Sequence, residues 1–260
     1  MNRLNNLSVK SSEHSSLASQ YEDISGHCSP LSAVADRRRP PRRIESPFSY
    51  FMPMHYESGY AYPLLIWLHD DGGNERQLNQ VMRLISVRNY VAASIRGPIQ
   101  ASHNGKHFGW DNGRHGSVEA ASLVDECVAE AGQRFNVHPR RVFVAGHGAG
   151  GTMAVRLAWQ SPESFAGAIS LDGALPRSGG AFRHVNRARK LPLMLVCCGQ
   201  SPRFGEPQLS EDLRLLHSAG CSAAIRFYPH EDDLTSVMFS DVNDWAMARV
   251  CASSSALAAT

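Results

Sequence analysis

The stretch 146–150 reads Gly-His-Gly-Ala-Gly and lies between a predicted strand and a predicted helix. Glycines at both ends of such a tight turn leave room where a Cβ atom would collide with the backbone. In the motif G-x-S-x-G, the central residue is a nucleophilic serine, which lies at the positive end of the following helix. Here that residue is Gly148, which has no side chain and therefore cannot form an acyl intermediate.

Alternating strands and helices must position this turn. Apolar runs and turn residues predict strands at 46–55, 62–69, 90–95, 141–145, 165–171, 191–198 and 221–228, and helices at 76–86, 117–135, 149–160, 210–219 and 234–251. Ser117 is the predicted N-cap of the second helix. The alternation predicts an α/β fold, a three-layer α/β/α sandwich around a mostly parallel, doubly wound sheet. Ligands of such sheets bind on the loops that follow the strands.

Composition separates a tail from a domain. Residues 1–45 are polar, end in the basic run 37–43 and predict a disordered tail; a weak contact of this run with an acidic partner, RNA or lipid headgroups is the alternative. A single domain is expected over 46–252, with a frayed end at 253–260.

The net charge of +2 indicates no specific nucleic-acid binding. No apolar run is long enough to predict a membrane span, and the polar N-terminus argues against a signal peptide.

The six cysteines form no C-x-x-C pair, and Cys197 and Cys198 are adjacent within an apolar run. This usage is typical of reduced, mostly buried thiols and predicts a cytoplasmic protein.

Three ordered features resemble the α/β-hydrolase superfamily, nearest its phospholipase/carboxylesterase branch and the polyhydroxybutyrate-depolymerase-like esterases. A predicted strand ends in His-Asp-Asp-Gly-Gly at 69–73, which is similar to the H-G-x-G turn that supplies an oxyanion amide. The 146–150 turn follows, then Ser-Pro-Glu-Ser-Phe at 161–165 before a strand. Two late strands then lead to Tyr228-Pro229 and a terminal helix. The resemblance covers about residues 60–250 and implies the α/β-hydrolase fold.

The resemblance also implies a Ser-Asp-His triad, whose three positions are occupied by other residues. Gly148 stands for the serine, Pro202 for the acid and Asp232 for the histidine. Proline cannot orient an imidazole, and an aspartate with an ordinary pKa near ~3.9 is a poor general base at neutral pH. The amides of Asp70 and Ala149, with Asp71, His147 and Trp110 nearby, are the predicted oxyanion pocket. We expect Gly148→Ser to fit sterically, because the family carries serine there.

Two functions follow. The first is an esterase-like protein that has lost serine-hydrolase catalysis and binds a ligand or partner, with a small acyl or carboxylate molecule as the expected ligand. The alternative is an active carboxylic-ester hydrolase with non-standard residues such as His230, which could activate water. His147 next to the apex is expected to point away from the pocket, Trp110 to anchor its loop, and Ser201 to be a turn residue. No metal or other cofactor is predicted, and the oligomeric state stays open.

Overall fold

The computed structural model of the protein describes residues 46–102, 105–178, 180–229 and 234–258, with side chains described up to residue 252. The tail predicted over 1–45 therefore lies outside the described residues. The strands are β1 (Phe48–Phe51), β2 (Tyr62–Leu68), β3 (Val91–Ile95), β4 (Ile99–Gln100), β5 (Phe108–Gly109), β6 (Val137–His147), β7 (Gly167–Leu171), β8 (Leu193–Cys198) and β9 (Ala224–Tyr228). The helices are α1 (Leu78–Ile85), α2 (Arg114–Arg134), α3 (Ala149–Gln160), α4 (Val185–Ala188), α5 (Glu206–Ala219) and α6 (Ser236–Ala258).

One mixed sheet organises the described residues. Its strand order is β1-β3-β2-β6-β7-β8-β9, and a separate hairpin pairs β4 with β5. Only β1 runs antiparallel within the described part of the large sheet, and every other neighbouring pair is parallel. The carboxyl ends of β2, β6, β7 and β8 therefore meet at one edge, where their loops can combine into a site.

Helices cover both faces of the sheet. On β2, Leu64 and Ile66 join a core that includes side chains of α2, α3 and α5, whereas Leu65 and Trp67 join a core with α1 and α6. All of β2 is buried, because successive side chains point to opposite, covered faces. The predicted three-layer α/β/α sandwich is confirmed.

The start of α2 differs from the prediction. The helix begins at Arg114, and Ser117 is buried inside it, donating its hydroxyl to the Arg114 carbonyl (2.9 Å). The carboxylate of Asp111 accepts hydrogen bonds from the amides of Gly113 (2.7 Å) and Gly116 (3.1 Å). An aspartate before the helix satisfies its first donors, so Ser117 is not the cap.

Two further stretches extend the predicted elements. The stretch between the strand predicted at 90–95 and the helix predicted at 117–135 contains the β4–β5 hairpin. The last helix, α6, continues beyond Cys251 to Ala258, into the stretch expected to be frayed. Of the described helices, none combines the length and hydrophobicity needed to cross a bilayer.

A buried ion pair holds the loop after β2 against the end of β3. Arg96 donates to Glu75 from Nε (2.9 Å) and from one terminal nitrogen (2.6 Å), and Glu75 is 4% exposed. Burial raises the pKa of Glu75, but the hydrogen bonds and charge of Arg96 outweigh it, so the pKa is lowered overall. Ionised Glu75 therefore stabilises the fold above its unfolded-state pKa, and this contribution is lost as the pH falls through the folded-state pKa.

Glu75→Gln should lower the free energy of unfolding by about 2 kcal/mol at pH 7, because it removes one charge of a buried, bidentate pair. The difference from the unmodified protein should shrink below pH ~4, where the unfolded carboxyl is protonated. Urea unfolding at pH 7 and pH 3 measures the loss of stability and its decrease at low pH. Glu163→Gln is the matched control, since Glu163 pairs with Arg187 at the surface. Equal losses in the two variants would contradict the prediction.

Candidate active-site region

The strand-to-helix turn keeps its shape without a side chain at its apex. Gly148 has φ +52° and ψ −119°, a conformation that residues with a Cβ rarely adopt. Its amide donates to the Leu171 carbonyl (2.8 Å), and its carbonyl accepts from the Thr152 amide (3.1 Å). Helix α3 begins at the next residue, Ala149. A Cβ on Gly150 would overlap the carbonyls at the end of β2, which explains the flanking glycine.

The turn after β2 sends a carboxylate to this apex. It is closed by a hydrogen bond from the Gly73 amide to the Asp70 carbonyl (2.9 Å), with Gly72 at φ +81°. The Asp70 side chain then reaches α3, where its Oδ1 accepts from the Ala149 amide (2.8 Å). The same oxygen accepts from the Asp71 amide (2.8 Å). Of the two predicted oxyanion donors, the Ala149 amide is thus bonded to the chain's own carboxylate.

The carboxylate fills the space that a nucleophile would need. A Cβ built on Gly148 would overlap Oδ1 and Cγ of Asp70 and lie 2.7 Å from Oδ2. The expectation that Gly148→Ser fits sterically is therefore wrong for this arrangement. In the H-G-x-G turn, the position that Asp70 occupies is a glycine. Compared with that pattern, this chain carries a side chain at 70 and none at 148, and the Asp70 carboxylate fills the space of the absent side chain.

A cation from a third loop completes the cluster. Arg203 lies in the turn that follows β8, and one of its terminal nitrogens is 2.5 Å from Oδ2 of Asp70. Ser201 shapes that turn, because its Oγ accepts from the amides of Arg203 and Phe204 (3.3 Å each). Pro202, at the expected acid position, is exposed. Ser201 is thus a buried turn residue, as expected, and the residue after Pro202 brings a positive charge to the apex.

The cluster is electrostatically balanced at its centre. Two backbone N–H groups, one guanidinium and the positive end of α3 surround the Asp70 carboxylate. Hydrogen bonds to a charged group contribute about 1.5–3 kcal/mol each, whereas the half-exposed Arg203 pair contributes about 1 kcal/mol or less. The backbone donors, more than the salt bridge, hold the carboxylate at the apex.

Neutral His69 supports the turn from below. The Gly97 amide donates to Nε2 (2.9 Å), so Nε2 is unprotonated and Nδ1 donates to the Asp70 carbonyl (2.7 Å). Burial lowers the pKa of His69, in agreement with a neutral ring. Trp110 packs 5.3 Å from this ring, donates from its indole to the His69 carbonyl (2.7 Å) and donates from its amide to Asp71 (3.1 Å). Trp110 anchors its loop, as the sequence suggested.

The other residues singled out in the sequence are placed as follows. His147 is buried at the end of β6, next to the apex. Asp232 and His230 lie outside the described residues, so the predicted histidine position and its substitute receive no structural description. Among the described residues, no group of three or more His, Cys, Asp or Glu side chains is placed to hold a metal ion.

Sequence reasoning missed Arg203 and Asp172. Asp172 is 4% exposed and has φ +55°; its Oδ1 accepts from the Cys198 amide (2.9 Å), which ties the end of β7 to the end of β8. The signal for Arg203 was a lone cation in a loop at the same sheet edge as two adjacent aspartates. Charge complementarity between loops at one edge can indicate such a pair, but not which aspartate it meets.

Comparisons with known proteins agree with this architecture. Residues 49–185 match the family model described as Esterase PHB depolymerase. NocK of Nocardia uniformis subsp. tsuyamanensis, named as an esterase, is 31% identical over 153 residues, which are 55% of this chain and 40% of NocK. The chain therefore spans less than half the length of that curated relative.

Solved esterases share the fold at low sequence identity. The carboxylesterase of Bacillus cereus superposes with a TM-score of 0.59 at 16% identity, over 78% of this chain and 93% of that chain. Esterase PE8 does so with a TM-score of 0.63 at 16% identity, over 77% and 97%. The expected α/β-hydrolase fold is confirmed. The family match ends before β8, so it includes Gly148 and Asp70 but not Pro202 or Asp232.

We expect Gly148→Ser to lower the free energy of unfolding by about 2–3 kcal/mol, because a Cβ at positive φ is strained and must displace Asp70 from the Ala149 amide. Asp70→Gly alone should also destabilise. The double variant should be less destabilised than the sum of the two by about 1 kcal/mol or more, since each change makes room for the other. Urea unfolding of the four proteins measures this coupling, and strict additivity would contradict the shared space.

Proposed function

This chain belongs to the esterase PHB depolymerase family, and we propose that it has lost serine-hydrolase catalysis and acts by binding a ligand or partner. One observation carries the proposal: the Asp70 carboxylate occupies the space at the apex and accepts the hydrogen bond of the Ala149 amide. Acyl transfer needs a nucleophile at that point and donors free for the developing oxyanion. In this chain the Asp70 carboxylate prevents both, because it occupies the space of the nucleophile and already accepts the hydrogen bond of the Ala149 amide.

Electrostatics supports the proposal independently of the missing serine. The transition state of ester hydrolysis places negative charge on the former carbonyl oxygen. A carboxylate already bonded to the amides of Ala149 and Asp71 would repel that charge instead of stabilising it. An attacking water would face the same repulsion in its tetrahedral intermediate. Substituting another nucleophile without moving Asp70 would therefore leave the reaction poorly supported.

The same groups favour a small acyl or carboxylate ligand. The Ala149 amide, the start of α3 and Arg203 together form a site for a negatively charged or carbonyl oxygen, and the protein's own Asp70 acts as its resident occupant. A ligand oxygen binds by exchanging with Asp70, which then turns toward solvent. This exchange makes affinity depend on the cost of releasing Asp70.

We further propose that the protein works in the cytoplasm with reduced thiols. Cys127 and Cys197 are free and buried, and Cys198 is buried as well. Burial raises the pKa of Cys127 to about 12 and that of Cys197 to about 11, which suppresses their reactivity. Free, unreactive cysteines are compatible with a reducing compartment.

The purified protein should hydrolyse p-nitrophenyl butyrate no faster than buffer and should take up no fluorophosphonate label, because the apex offers no nucleophile. Labelling is read by mass spectrometry and turnover by absorbance. The alternative hydrolase predicts turnover that disappears in His230→Ala but persists in His217→Ala, an exposed histidine on α5. That pattern, or any covalent label at the apex, would overturn the loss of catalysis.

Asp70→Ala should bind butyrate at least about tenfold more tightly than the unmodified protein, since it frees the Ala149 amide and Arg203. Isothermal titration calorimetry at equal pH and salt gives both affinities. Asp125→Ala, which removes an exposed carboxylate from α2, controls for the change in net charge. If Asp70→Ala gained no affinity beyond this control, the exchange of a ligand oxygen with Asp70 would be refuted.

A further inference from the structure

A basic pocket lies at the opposite end of the sheet from the apex. It has a volume of about 380 Å³ and is bordered by the starts of β8 and β9, with residues 191–193 and 222–224 in its wall. Arg189, Lys190 and Arg249 complete the wall. Since β8 and β9 are parallel, this pocket is at their amino ends, whereas Arg203 and Asp70 meet beyond the carboxyl end of β8.

Two of the cations are held in place by the fold. Arg189 donates from Nε to the Ala219 carbonyl (2.6 Å) at the end of α5, which keeps its guanidinium at the pocket edge. Arg249 stacks on the Trp245 ring, 3.6 Å from the ring centroid, and donates to the Trp245 carbonyl (2.7 Å). Both guanidiniums are thus oriented through contacts that carry no negative charge.

No carboxylate compensates these charges among the described residues that line the pocket. The Nε of Arg249 is buried and meets no hydrogen-bond acceptor within the described part of the chain. Burial also lowers the pKa of the Arg249 guanidinium, so its charge is held at some cost. Three neighbouring cations without a carboxylate among these described residues are stabilised by an anion that brings several oxygens.

We propose that this pocket binds the phosphate group of a phosphate monoester. Guanidinium forks match the geometry of phosphate oxygens, and Lys190 adds a flexible point charge at the rim. The volume exceeds that of a phosphate ion and lies within the range of small-ligand sites. Leu191, Leu193 and Ala223 supply apolar wall for the organic part of the ester. The site shares no residue with the apex cluster.

The test is isothermal titration calorimetry of the full chain with inorganic phosphate and with glycerol 1-phosphate. Both should bind, with affinity that falls as NaCl rises. Arg249→Gln and Lys190→Gln should each weaken binding of glycerol 1-phosphate by about tenfold, the loss expected for one charged hydrogen bond. Arg183→Gln, an exposed arginine outside the pocket, should bind like the unmodified protein. Thermal unfolding checks whether Arg249→Gln is folded. If it is not, Lys190→Gln still tests the site, because Lys190 is exposed and its substitution should not affect folding.

A flotation arm with phosphatidylcholine vesicles, with and without phosphatidic acid, identifies the source of the monoester. Binding to phosphatidic acid that is lost in Lys190→Gln supports the site with a lipid headgroup as ligand, and calorimetric binding alone supports it with a soluble ester. Equal binding by Lys190→Gln and Arg183→Gln, or no binding in any arm, would overturn the proposal. The pocket shares no residue with the apex cluster, so the comparison of Lys190→Gln with Arg183→Gln succeeds or fails independently of butyrate binding at the apex, and the two failures are distinguishable.

Discussion

The apex region depends on one constraint, the compensation of the Asp70 charge. A largely buried carboxylate is costly unless hydrogen bonds and opposite charges surround it. The Asp71 amide comes from its own turn, the Ala149 amide from the start of α3, and Arg203 from the turn after β8. Three loops that are distant in sequence therefore share one anion, and the conformation of each is coupled to the other two.

The same constraint explains how the turn at 146–150 persists without a side chain at its apex. Gly148 retains the positive φ and the backbone hydrogen bonds of a nucleophile-bearing turn, so the backbone geometry does not require the serine. The volume vacated at the apex is filled by Asp70 from the neighbouring strand end. A serine introduced at 148 alone meets an occupied site. The apex thus differs from a serine-bearing turn at two positions, Gly148 and Asp70.

Charge is organised at both ends of the parallel strands, although the net charge of the chain is only +2. At the carboxyl end, Asp70 and Arg203 neutralise each other and the chain supplies its own anion. At the amino end, Arg189 and Arg249 are oriented by backbone carbonyls and an aromatic ring and have no carboxylate among the described lining residues. The positive charge at the carboxyl end is therefore compensated within the chain, whereas for the amino end we propose an external anion.

The order of strands and helices, the tight turn at Gly148 and its missing nucleophile were readable from the sequence, because they follow from local periodicity and residue type. The start of α2 could not be read from the sequence, because Asp111 competes with Ser117 as a cap and only the backbone geometry decides between them. The role of Asp70 also required the tertiary structure. Whether its side chain faces solvent or the apex depends on the closeness of β2 to α3, and its pairing with Arg203 joins loops far apart in sequence. Local patterns determine elements and absent groups, whereas contacts between loops decide what fills the vacated space.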